Sequence, residues 1–228
     1  MVTKRAFVAC TNPLTGQWLP IGILSHDGKV FSFCYTNGIK FCDGFYLPGF
    51  NDPLETYESD ELFPIFTNRI LSPSRPEFAD VLRWCDLPPD ADQLTILTRT
   101  GGRRVTDTLE VFPDIDVDPI NGVYSSTFFI RRANQIVLNS LDKNKQYKVT
   151  IDQNGDNYVR LLRIDGKIIG ECPIYISELF NEQTKIEIVK INYDCPVLAF
   201  SFLCKVSVSL LKNKPFQHKI FEKYSLEI

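Results

Sequence analysis

The sequence predicts an α+β fold in two small domains: an N-terminal hairpin sheet with helices, and a C-terminal β-rich partial barrel with two short helices. Three observations carry this expectation. Apolar–polar alternation bounded by turn residues recurs in both halves, helical periodicity is confined to a few short windows, and a change of charge coincides with a Pro-bounded acidic stretch. Residues 1–118 carry ten Lys and Arg against seventeen Asp and Glu, a net of −7, whereas residues 119–228 carry fifteen against eleven, a net of +4. The break falls at Pro113-Asp114-Ile115-Asp116-Val117-Asp118-Pro119, read as a linker (113–119) between domains at 1–112 and 120–228. Net charge governs association more than fold, so two modules with different partners are expected, and only the basic half suits a polyanion.

In the first half, residues 5–10 read as a short strand, and Trp18 to Leu24, the turn Ser25-His26-Asp27-Gly28 and Val30 to Tyr35 read as a hairpin. Phe31, Phe33 and Tyr35 share one face of it. Residues 41–53, rich in Gly, Pro and Asp, read as loop. Ser59 before Asp60-Glu61 predicts a helix reaching Leu71, with Pro64 marking a kink or a delayed start. Pro76 predicts the start of a second helix, with Phe78, Val81, Leu82 and Cys85 at helical spacing. Asp90 is the expected cap of a third over Leu94, Ile96 and Leu97, stopped by Gly101-Gly102, and Val105 to Phe112 a returning strand.

In the second half, Thr127 to Arg131 reads as a strand and Ala133 to Leu141 as a helix with Ile136, Val137 and Leu141 on one side. Tyr147, Val149 and Ile151 alternate with polar neighbours, a turn follows at 152–157, and Tyr158 to Ile164 joins Lys167 to Gly170 through the tight turn Asp165-Gly166. Pro173 predicts a helix through Phe180. Lys185 to Ile191 and Leu198 to Val208 complete the strands, with Phe200, Phe202, Cys204, Val206 and Val208 on one face.

Composition narrows the function classes. Apolar residues make up 44% and charged residues 23%, as in a folded domain with ample core material. No apolar run approaches the roughly 18–20 residues that span a bilayer, and no apolar segment follows the basic N-terminus, so a cytoplasmic location without membrane partners is expected. The seven cysteines form no C-x-x-C pair and read as small buried hydrophobes; the only histidines are His26 and His218, so neither a disulfide framework nor a zinc site is expected. There is no P-loop, G-x-G-x-x-G or H-E-x-x-H, and Gly101-Gly102-Arg103-Arg104 follows a helix instead of opening one. No catalytic residues, metal or cofactor are expected.

The basic half offers a binding constellation instead. Arg131 and Arg132 end a strand, with Asn134 and Gln135 following. Lys143, Lys145 and Lys148 cluster further on, and Arg160 and Arg163 lie on the adjoining hairpin beside Tyr158. Cations interleaved with an aromatic on a small curved sheet are suited to track phosphates and stack a base. The candidate nucleic-acid residues are therefore Arg131, Arg132, Asn134, Lys148, Tyr158, Arg160 and Arg163.

Two family resemblances emerge. Ser126-Thr127-Phe128-Phe129-Ile130-Arg131-Arg132-Ala133-Asn134, then Leu141 and Tyr147-Lys148-Val149, resemble the opening of a HIRAN domain. Lys167-Ile168-Ile169-Gly170-Glu171-Cys172-Pro173 looks like that family's G-x-x-I/V-G-Y/W-V-P turn, and the likeness covers about residues 124–208. It departs from the family where Gln135 replaces an aromatic and where Asn154-Gly155-Asp156 stands for a longer loop. The resemblance implies a small β-rich module that captures single-stranded DNA or DNA ends. Residues 5–112 resemble, more loosely, the N-terminal subdomain of HipA-type kinases and the small protein HipS, through Phe63-Pro64-Ile65-Phe66-Thr67-Asn68-Arg69-Ile70-Leu71 and Gly101-Gly102. That resemblance implies a non-catalytic protein-contact module, with Phe66, Asn68, Arg103 and Arg104 as candidate partner-binding residues.

The expected function is a prokaryotic, non-catalytic adaptor, toxin–antitoxin or defence-associated, in which residues 120–228 bind nucleic acid and residues 1–112 bind a protein. The alternative is an antitoxin-like or complex subunit acting only through protein contacts.

Overall fold

Three antiparallel sheets and a few short helices build the chain, in a computed structural model that describes residues 3–12, 14–114, 117–118, 122–152, 160–177, 180 and 183–209. The fold is mixed α+β and mostly strands. Its described residues divide into two compact units, one within 3–79 and 88–114, the other within 80–87 and 117–209.

The first unit contains one sheet: β1 (Lys4–Thr11), β2 (Trp18–His26), β3 (Phe31–Tyr35), β4 (Tyr57–Ser59) and β5 (Glu110–Pro113), in the order β4-β3-β2-β1-β5. The expected hairpin is β2–β3, and Phe31, Phe33 and Tyr35 are buried while Ser32 and Cys34 are less so. Pro20 sits inside the central strand, where it has no N–H to donate. The β1–β2 register shifts at Val8/Ala9, opposite this position, which is how a strand accommodates proline. Phe33 meets Phe50 and Phe66 with ring centroids 4.5 and 5.8 Å away, at the centre of the core.

The helices are shorter than their sequence windows. α1 (Pro64–Thr67) is a single turn with Pro64 at its first position, so the proline delays the start; Ser59 ends β4 instead of opening a helix. α2 (Phe78–Trp84) begins two residues after Pro76, and from Asp80 on it belongs to the second unit. α3 (Gln93–Thr100) is capped by Asp92, not Asp90, through a bond from the Thr95 amide at 3.0 Å, and Gly101 closes it with φ of +76°. Val105 is fully exposed and the returning strand starts only at Glu110.

The second unit holds two sheets. β6 (Val117–Asp118), β7 (Val123–Phe129), β11 (Lys185–Ile191) and β12 (Phe202–Ser209) run in the order β11-β12-β7-β6, while β8 (Val149–Asp152), β9 (Leu161–Ile164) and β10 (Lys167–Glu171) form a second, ordered β10-β9-β8. Two isolated bridges stitch these sheets together, Arg131 to Glu171 and Lys148 to Glu187, without closing a barrel. Pairing of β6 with β7 places Val117 and Asp118 in a sheet, although the acidic stretch reads as a linker; its Asp–apolar alternation is also a strand pattern. α4 (Gln135–Ser140) buries Val137 and Leu138 but exposes Ile136, because a helix this short presents little more than one turn to the sheet. α5 (Ile174–Ser177) follows Pro173.

Asp165 and Gly166, at φ of +48° and +77°, make the two-residue turn between β9 and β10. Gly170 has φ of +150°, and a Cβ there would stand 2.5 Å from the Arg131 carbonyl oxygen; the bulged β10 needs a glycine where Arg131 crosses it. Asn192, almost fully buried, donates from Nδ2 to the Trp84 and Phe200 carbonyls at 2.9 and 2.7 Å, fastening the Asp80–Leu87 stretch to the end of β11.

Candidate nucleic-acid interface

The two bridges place cationic side chains on opposite edges of the β8–β10 sheet. At the β10 edge stand Arg131, Arg132 and Asn134, and each has structural work there. Arg131 is half-buried and exchanges backbone hydrogen bonds with Glu171 at 2.8 Å. Arg132 is exposed over 82% of its side chain and pairs with the Glu171 carboxylate at 2.9 Å. Asn134 caps α4, accepting from the Ile136 and Val137 amides at 3.1 and 3.2 Å, and donates to the Ile168 carbonyl. Arg163 is committed to a forked bond with Asp152, at 3.1 and 2.7 Å, and to the Gly166 carbonyl at 2.8 Å. Arg160 is half-buried, its carbonyl accepting from the Cys172 amide. Tyr158 lies outside the described residues, as do residues 153–157 of the expected turn and His218.

At the other edge, where β8 meets β11, an open groove of about 600 Å³ is lined by Lys143, Lys145, Tyr147, Lys148, Lys190 and Tyr193 among others. Among the described residues, Lys148 is the one candidate that lines it. The segment 143–148 leads into β8, and the Lys148–Glu187 bridge sets it along β11. Both tyrosines are anchored on one backbone unit: the Asp142 amide donates to Tyr147 Oη at 2.6 Å, and Tyr193 Oη donates to the Asp142 carbonyl at 3.5 Å. Lys145 Nζ lies 5.0 Å from the Tyr147 ring centroid and Lys143 Nζ 5.4 Å from that of Tyr193. These cation–π contacts restrain two otherwise flexible side chains at the mouth of the groove.

The four lysines differ. The Asp165 carboxylate, 2.8 Å from Lys145, holds its ammonium above the usual range and offsets its charge. Lys190 donates to the Arg83 carbonyl. Lys143 and Lys148 are exposed and, among the described residues, neither is ion-paired to a carboxylate. Burial, with Tyr147 and Asp142 nearby, raises the Tyr193 phenol, so it is neutral at physiological pH. The Lys143–Lys145–Lys148 spacing was legible in the sequence; Lys190 and Tyr193 were not, because they reach the groove only through strand pairing across some forty residues.

In the first unit Phe66 is fully buried among Phe33, Phe50 and Phe63, so it is a core residue and offers no partner surface. Asn68 and Arg104 are exposed and tied together, the guanidinium donating to the Asn68 carbonyl; Arg103 is exposed beside them in sequence. Arg69 anchors this loop from beneath. Its side chain, only 4% exposed, donates to Asp107 and to the Gly102 carbonyl. The exposed apolar residues of this unit include Phe41, Phe45 and Tyr46.

Among the described residues, no three His, Cys, Asp or Glu side chains gather as a metal site, and no helix is long and apolar enough to cross a membrane. Compared with family models, with curated proteins and with solved structures, the chain finds no match.

Proposed function

We propose that the chain is a non-catalytic adaptor that holds single-stranded nucleic acid in the groove between β8 and β11, and a protein partner through its first unit. The observation that carries this reading is the groove itself: four lysines and two anchored tyrosines converge on an open surface beside a single bridge. Ammonium groups neutralise phosphates and release counterions, while tyrosine faces stack bases of any identity. The resemblance of residues 124–208 to HIRAN domains supports the same ligand class.

Fluorescence anisotropy with labelled single-stranded, duplex and overhang DNA at two salt concentrations tests it. Single strands and overhangs should bind more tightly than duplex, and affinity should fall steeply with salt. Replacing Lys143 and Lys148 together by Glu should lower affinity at least tenfold and flatten the log–log salt slope by about 0.7 for each phosphate no longer neutralised. Tyr147→Ala should cost about tenfold, within the roughly 1–3 kcal/mol of a base–aromatic stack. Absence of binding to all three DNAs at low salt overturns the proposal.

The second reading, a subunit acting only through protein contacts, is favoured by the exposed Phe41, Phe45 and Tyr46 of the first unit. Co-purification of a stoichiometric protein partner without nuclease-sensitive nucleic acid would select it.

A further inference from the structure

Cys10 lies near the end of β1, and Cys42 follows the 3-10 turn Asn37–Phe41. Thirty-two positions apart in sequence, their Sγ atoms stand 3.6 Å from each other inside the core of the first unit. We propose that Cys10 and Cys42 form an oxidation site, closing an intramolecular disulfide when the protein meets a hydroperoxide.

The geometry requires the sulfurs to approach by about 1.5 Å to reach the ~2.05 Å of a disulfide. Cys10 is fixed by pairing with Leu19 across the β1–β2 ladder. The movement therefore falls to Cys42, which borders a turn with Asp43 and Gly44 at φ of +49° and +77° and the exposed residues Phe45 and Tyr46. Cys42 itself is buried, so the same movement of this turn has to admit the small oxidant.

The protons are arranged for this order of events. Cys42 donates its S–H toward the Gly38 carbonyl at 3.7 Å, which leaves the hydrogen shared between the two sulfurs to Cys10. The hydrogen bond from Cys10 lowers the Cys42 thiol, whereas that bond and burial push Cys10 up, so Cys42 ionises first. The Cys42 thiolate attacks one peroxide oxygen, the O–O bond breaks, and the hydroxide or alkoxide that leaves takes up the proton Cys42 released, so that a sulfenic acid stands on Cys42 and water or an alcohol departs. Cys10 Sγ then attacks Cys42 Sγ; the S–O bond breaks and hydroxide leaves, taking the Cys10 proton as water. Two thiols lose two electrons and one peroxide gains them. By contrast, burial alone raises the Cys204 thiol, and it has no such neighbour within hydrogen-bond reach among the described residues.

Trypsin separates the relevant thiols, because residues 6–29, 30–40 and 41–69 carry only Cys10, Cys34 and Cys42 respectively. Native protein treated with hydrogen peroxide, alkylated under denaturing conditions and digested should yield the 6–29 and 41–69 peptides joined, lighter than their sum by two hydrogens. The 30–40 peptide should remain alkylated, and dithiothreitol should reverse the linkage. Cys34→Ser should leave it intact, and oxidation in urea should scramble it across all three peptides. Recovery of both Cys10 and Cys42 as alkylated thiols from the native protein, or a linkage that involves Cys34 equally, overturns the proposal. The measurement uses the unaltered chain, so it does not depend on a variant that folds.

Discussion

Tyr35 organises a loop through one oxygen atom. Its hydroxyl donates to the Phe50 carbonyl and accepts from the Leu47 amide, both at 2.8 Å, so a buried side chain supplies the hydrogen bonds that a loop crossing the core cannot make for itself. Tyr35→Phe leaves two buried backbone groups unpaired and should lower stability by about 2 kcal/mol, read as a shift of the urea midpoint. Burial also pushes the phenol up from 10.0 to about 12. The folded state therefore keeps a proton that the unfolded chain has lost, and this contribution is complete below pH 10.0 and disappears as pH rises to about 12. The difference in stability between wild type and Tyr35→Phe should shrink across that interval. At this scale the sequence reveals charge but not its partner in space. Arg163 and Asn134 read as free to meet a ligand, yet one is committed to Asp152 and the other to the start of α4. Phe66 sits in a motif that reads as a contact surface, and only tertiary packing shows that it faces inward.

Caps and turns set the elements more firmly than apolar spacing does. The Asp92 carboxylate holds α3 by accepting from the Thr95 amide and hydroxyl, and it reaches Lys4 on β1. Burial alone would raise its pKa, but these hydrogen bonds outweigh that and hold it at about 2. The stabilisation is thus present above pH 3.8 and lost as pH falls toward 2. Asp92→Ala should cost about 1 kcal/mol at neutral pH, whereas Asp92→Asn should keep much of the cap and lose this part of the acid dependence; thermal melts from pH 5 to pH 2 separate the two. The hairpins were readable because their turns carry their own chemistry, as at Asp165-Gly166. Helix starts are less legible. Pro64 and Asp92 compete with nearby plausible starts at Ser59 and Asp90, and the choice is made by which backbone amides need partners once the sheet is in place.

Over the whole molecule, the charge break and the boundary at Asp114 nearly coincide, which is why the two-part organisation is visible in composition alone. What composition does not show is that the second unit takes Asp80–Leu87 from within the acidic half. The signal is present only as apolar residues, Leu82, Trp84 and Cys85, whose destination is a long-range matter; all three are buried, and Asn192 grips the Trp84 carbonyl. A fragment of residues 115–228 should therefore be less stable than one of residues 76–228, by about 3 kcal/mol or more given the loss of a buried Trp and Leu. A synthetic peptide of residues 76–88 added in trans should raise its melting midpoint with concentration. The interleaving also bears on descent. A recombination event at the acidic stretch, the natural seam by composition, would deliver the basic half to a new gene without the segment that seats Trp84. The two halves are thus poor cassettes for shuffling, and a crossover that keeps the second unit whole has to fall upstream of codon 80.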